Sequence, residues 1–67
     1  MALSVGDKVK NRYNIDGGFF GTDIPSETSG KVVKIHWLSD TVDVEFVRYG
    51  STHIVRDIDV KDVVKQY

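Results

Sequence analysis

Sixty-seven residues, 40% hydrophobic and 28% charged, with six Gly, one Pro and no Cys, fit one small folded domain and exclude a fibre, a disordered tail or two domains. A chain this short buries only roughly 60% of the surface its unfolded form exposes, and it has no disulfide to help, so its core must be tightly built and a deep enzymatic pocket is disfavoured. Nine Lys plus Arg against ten Asp plus Glu leave a formal net charge of −1, without the bulk attraction for phosphate that most nucleic-acid modules show.

The N-terminus Met1-Ala2-Leu3-Ser4 carries no charged leader, and no apolar stretch approaches the roughly 20 residues of a membrane helix. A cytoplasmic location without membrane attachment is therefore expected, and the absence of Cys agrees with a reducing compartment. Apolar residues then recur mostly with period 2, the signature of half-buried strands. In Asp7–Tyr13, Val9 and Tyr13 share one face while Lys8, Lys10 and Arg12 take the other, which predicts strand one. Asn14–Ser29 is the only long irregular stretch, and its Ile15, Phe19, Phe20 and Ile24 favour a docked loop over a disordered one. Gly30–Trp37 is rich in β-branched residues, but its apolar set slips phase between Val32 and Ile35. One extra residue near Val33, a bulge, would let both face the core and bend the strand.

Leu38-Ser39-Asp40 predicts a turn, and Thr41–Phe46 a third strand with Val42, Val44 and Phe46 inward and Asp43 and Glu45 in water. Tyr49-Gly50-Ser51 predicts a Gly-centred turn into a fourth strand over Thr52–Arg56. Asp57 reads as the start of a turn; a 3₁₀ turn at Val60–Asp62 then leads into a last short strand over Val63–Gln66.

This outline resembles an SH3-like barrel. Val5-Gly6-Asp7-Lys8-Val9 is similar to the V-G-D-x-V opening of small bacterial SH3-like domains, and Ile24–Val32 resembles their P-x-G-T-x-G-x-V lead-in to strand two. Val42–Phe46 and Asp59–Val63 resemble the third strand and the closing turn. The nearest types are KOW-like modules of ribosome and transcription proteins, the small SH3-like accessory protein of photosystem I and the variable chain of ferredoxin:thioredoxin reductase. The resemblance implies an all-β, five-stranded SH3-like barrel over residues 1–67 as a single domain. Glu27 departs from the pattern where Gly is common, so a left-handed residue is not expected in the turn after Pro25. SH3-like barrels host many unrelated functions, so the likeness specifies architecture rather than activity.

Gly17-Gly18-Phe19-Phe20-Gly21 is the most unusual word. Adjacent rings of an extended chain point in opposite directions, so either the loop turns and both anchor it, or one is presented as a partner hot spot. The word lacks the G-x-x-x-x-G-K-[ST] form of a phosphate cradle. Lys8, Lys10 and Arg12 on strand one, with Lys31 and Lys34 on strand two, form a basic stripe that either tracks a nucleic-acid backbone or is neutralised across strands by Asp7, Asp43 and Glu45. Tyr13, Trp37 and Tyr49 have the chemistry to stack on bases, though core or rim packing is the ordinary fate of each. His36 and His53 belong to no metal-ligand spacing, so no metal or other cofactor is expected. Ser39 or Ser51 beside either His has no supporting catalytic motif, and the scattered acids imply no paired-carboxylate cleft.

The reading that follows is a non-enzymatic protein-binding module, with contacts from Tyr13, Phe19, Phe20, Trp37 and Tyr49 and orientation from Lys10, Arg12 and Asp23. The alternative is a KOW-like nucleic-acid contact module using Lys8, Lys10, Arg12, Lys31 and Lys34. A third class is a homo-oligomer member that pairs a sheet edge, or Val47, Ile54 and Val64, with a second copy.

Overall fold

Period-2 alternation is realised as five antiparallel strands in the computed structural model, which describes residues 3–16 and 23–66. They are β1 (Lys8–Asn11), β2 (Ser29–His36), β3 (Thr41–Arg48), β4 (Ser51–Asp59) and β5 (Val63–Lys65), with a 3₁₀ turn over Val60–Asp62 before β5. The order across the sheet is β4-β3-β2-β1-β5. Buried Val9, Ile24, Val32, Val42, Val44, Phe46, Ile58 and Val63 form one core, drawn from every strand and from the β1–β2 loop. Edge residues Ile58 and Val63 reach the same cluster as the central strands, so the sheet is curled. Closure is where the fold differs from the expected barrel. The ladders end at β4 on one side and β5 on the other, so the described sheet is open. The three-residue β5 pairs with β1, and the 3₁₀ turn carries the chain across the gap, capped by Asp59, which accepts from the Lys61 N–H at 3.0 Å.

Two bulges supply the curl, and they meet at one place. On β2, Val32 pairs with Val44 and Lys34 with Asp43, leaving Val33 as the extra residue, which puts the bulge at the predicted position. On β4, Val42 pairs with Ile58 and Val44 with Val55, so Arg56 and Asp57 together oppose Asp43. Asp57 takes a φ of 58°, in the left-handed region that Asp tolerates better than most residues. β4 therefore runs on through the position predicted to start a turn.

At two positions burial departs from what alternation alone predicts. Alternation puts Tyr13 beside Val9 in the core, but β1 ends at Asn11 and the Tyr13 ring is exposed. The interior position is held instead by Asn11, which is buried. Asp43, expected in water, is buried too. Alternation does set it on the face opposite Val42 and Val44, but the β4 bulge leaves the Asp57 N–H without a ladder partner, and Asp43 Oδ1 accepts it at 3.0 Å.

The loop ends are fixed the same way. Asn11 Nδ2 donates to the Tyr13 and Pro25 carbonyls at 2.8 and 2.7 Å, while its Oδ1 accepts from the Thr28 N–H at 2.9 Å. The Asn11 carbonyl accepts from the Glu27 N–H at 2.8 Å. These bonds over-determine the turn, and Glu27 is left-handed at φ 62° in spite of the expectation from its side chain. Further out, Ile15 and Ile24 pair as an isolated antiparallel bridge.

Candidate functional site

The expected contact residues divide between the two ends of the sheet. β1 ends, β2 begins and the β3–β4 turn lies at one end, because Lys10 pairs with Ser29, Gly30 with Phe46 and Arg48 with Ser51. Tyr13, Asp23 and Tyr49 belong to this end, while Arg12, just past β1, donates its N–H to the Asp62 carbonyl and lines a cavity with Asp40 and Val60 on the side of the 3₁₀ turn. Trp37 lies past the far end of β2, an eight-residue strand spanning roughly 25 Å at about 3.3 Å per residue. It stands there with Leu38, away from the others. All three rings are exposed, Tyr13 at 65%, Trp37 at 73% and Tyr49 at 87%, so none has the core role that ordinarily claims such residues. Phe19 and Phe20 lie outside the described residues.

An open groove of ≈ 420 Å³ lies at the loop end, between the arms of the β1–β2 loop and the β3–β4 turn. Ile15, Ile24 and Pro25 provide its apolar wall, Asn14, Asp16 and Asp23 its polar rim, and Arg48 and Tyr49 the opposite side. The turn that carries Tyr49 is a two-residue hairpin with both residues left-handed, Tyr49 at φ 52° and Gly50 at φ 75°, a geometry that follows the twist of the flanking strands. Arg48 lies over the Tyr49 ring at 5.0 Å and donates to its hydroxyl at 3.3 Å. The Arg48 Nε–H is buried without a hydrogen-bond partner among the described residues.

The basic residues are more nearly assembled. Lys8 stands directly opposite Lys31, and Lys10 opposite Ser29, all on the face away from Val9 and Val32. Lys34 follows beyond the bulge, in register with Asp43. The acids expected to neutralise this stripe are engaged elsewhere. Asp7 accepts from the Ser4 N–H and pairs with Lys65 at 3.5 Å, and Asp43 bonds to His36 and the Asp57 N–H. Glu45 faces Lys31 in register, yet among the described residues none of Lys8, Lys10, Arg12, Lys31 and Lys34 forms an ion pair.

One constellation escapes sequence reasoning. His36 Nε2 lies 2.9 Å from Asp43 Oδ1 and 3.7 Å from Asp57 Oδ1. The three residues come together only through the β2–β3 turn and the β4 bulge, so no local spacing signals them. Burial alone would raise the Asp43 carboxyl; the Asp57 N–H, the His36 ring and the charge of Arg56 outweigh it and hold the group below its ordinary 3.8. Among the described residues neither Ser39 nor Ser51 hydrogen-bonds to a His ring; Ser39 Oγ bonds to the His36 carbonyl and Thr41. No helix among the described residues is long and apolar enough to cross a membrane. Comparison with protein-family models, curated proteins and solved structures gives no match to this chain.

Proposed function

We propose that this chain is a non-enzymatic binding module, SH3-like in its strand order and 3₁₀ crossing, that engages a protein segment at the loop end of its sheet. The observation that carries the reading is the groove between the β1–β2 loop and the β3–β4 turn, with an apolar floor of Ile15 and Pro25 and an almost fully exposed aromatic at its lip, Tyr49. A buried aromatic anchor with a polar rim is the usual energetic core of a protein interface, and Tyr49 with Asp23 and Arg48 has that composition. Phe19 and Phe20 belong to the same loop in sequence, and Tyr13 to the same end; Arg12 lies instead against the 3₁₀ turn. Trp37 is left out of this set.

A second reading has its own support, a KOW-like nucleic-acid contact at Lys8, Lys10, Arg12, Lys31 and Lys34. Like charges directly opposite one another, as Lys8 and Lys31 are, cost about 0.2–1 kcal/mol, and a phosphate between them would reverse that sign. Recovery of partners from lysate with and without nuclease, at low and high salt, separates the two. The protein-binding reading expects nuclease-resistant, weakly salt-dependent recovery that Tyr49→Ala and Phe19→Ala abolish and Trp37→Ala leaves intact. Nuclease-sensitive recovery that falls steeply with salt and is lost in Lys8→Glu overturns it in favour of the basic face.

A further inference from the structure

We propose that His36, Asp43 and Asp57 form a binding site for a divalent cation of the zinc class. One imidazole nitrogen and two carboxylates converge from three adjacent strands, with their donor atoms all within 4.8 Å of one another. A tetrahedral zinc-class ion bonded at about 2.0–2.2 Å to such donors sets neighbouring donors roughly 3.3–3.6 Å apart. The observed His36 Nε2 separations of 2.9 Å from Asp43 and 3.7 Å from Asp57 bracket that range. Asp57, exposed and held at its carboxylate by a long 3.4 Å bond from Thr41 Oγ1, has room to complete the set.

The charge balance points the same way. Asp43 is a carboxylate with its side chain 3% exposed, and among the described residues no Lys or Arg pairs with it. Its partners are a ring nitrogen and the Asp57 N–H. The Asp57 N–H, the His36 ring and the more distant charge of Arg56 offset the burial of Asp43, but a second carboxylate, that of Asp57, faces the same nitrogen. One Nε2–H serves Asp43 well at 2.9 Å but reaches Asp57 poorly at 3.7 Å, whereas a dication among the three donors would satisfy both acids. The N–H from Asp57 also orients the Asp43 carboxylate, as outer-shell donors do around metal ligands. The half-exposed His36 and exposed Asp57 leave the site open to solvent, so water would fill the remaining coordination positions. An imidazole in the set favours zinc, nickel or copper over magnesium or calcium.

The test is calorimetric titration of Zn²⁺ into the chelator-stripped full chain, with Mg²⁺ as the contrasting ion. One saturable Zn²⁺ site is expected, with no Mg²⁺ heat under the same conditions. His36→Gln should abolish it, and Asp57→Asn, whose Asn also tolerates the left-handed φ, should weaken it at least about tenfold. His53→Gln should bind as the parent does. Amide shifts in the unmodified chain provide a readout independent of any variant's folding, and Zn²⁺ should move the signals of His36, Asp43 and Asp57 first. Absence of saturable Zn²⁺ uptake, uptake undiminished in His36→Gln, or shifts confined to other residues would overturn the proposal.

Discussion

Removing the Asn11 side chain should do more damage than removing any other polar side chain at the loop end. Asn11 satisfies three backbone groups, the carbonyls of Tyr13 and Pro25 and the N–H of Thr28, from a buried position. Asn11→Ala leaves all three without that partner. At about 0.5–1.5 kcal/mol net for each bond, less some recovery by water at a site near the surface, the expected loss is about 2–3 kcal/mol. A chain of this length has roughly 3–10 kcal/mol of total stability, so the variant loses a large fraction of it. With ~4–8 °C of Tm per kcal/mol for a domain of this size, the midpoint should fall by on the order of 15 °C. Asn11→Asp keeps the shape but replaces a double donor with an acceptor aimed at two carbonyls, so it should lose at least as much. Thermal and urea unfolding give the magnitude, and hydrogen exchange gives the location. In Asn11→Ala the Thr28 and Glu27 amides should exchange faster than the β2–β3 ladder, as a locally opened loop base requires. A loss below about 1 kcal/mol in Asn11→Ala, or exchange that rises uniformly across the sheet, would refute the assignment of Asn11 as the clamp.

Two further outcomes follow from the core and the bulge. A Cβ on Gly30 would sit 2.5 Å from Val44 Cγ1 and 2.8 Å from Phe46 Cδ1, both in fully buried side chains, so Gly30→Ala should cost about 1–3 kcal/mol through overpacking despite its stiffer unfolded chain; adding Val44→Ala, which removes the clashing methyl, should give a double variant more stable than the sum of the singles predicts, and strict additivity in urea melts would count against the clash. Because Asp43 sits below its ordinary 3.8 in the folded chain, its stabilising contribution is complete above that value and is lost as pH falls through the lower folded one; acid titration of Tm in chelator should show a shallower fall for Asp43→Asn than for the parent, and parallel curves would contradict the assignment.

Much of the architecture is legible in the sequence because it rests on single-strand pattern. Val42, Val44 and Phe46 alternate cleanly and lie in the core, the phase slip between Val32 and Ile35 marks the Val33 bulge, and the 3₁₀ turn falls at Val60–Asp62 as read. Features that depend on a neighbouring strand are not legible. Whether β4 and β5 join is decided by curl and strand length, and whether β4 continues through Asp57 is decided by an extra residue accommodated opposite Asp43. The candidate contacts divide along the same line. Trp37 and Tyr49 look alike in sequence, yet antiparallel pairing puts them at opposite ends of the sheet, while the same pairing brings Lys8 to Lys31 across the whole β1–β2 loop to make one basic row.

Asn11 and Asp43 are the buried polar side chains among the described residues, and each sits where the ladder stops supplying partners. Asn11 takes up backbone groups freed where β1 gives way to the long loop; Asp43 takes up an N–H freed by the β4 bulge. A short chain without disulfides can place irregular backbone in its interior only if some side chain completes the hydrogen bonding there, and that requirement selects a polar residue where the apolar pattern would put none. The polar residue in turn fixes nearby groups in conformations a regular strand would not allow, Glu27 and Asp57 both at positive φ. The groove at the loop end is built beside the first of these anchors and the His36 cluster around the second, so both candidate sites are consequences of how the sheet manages its two interruptions.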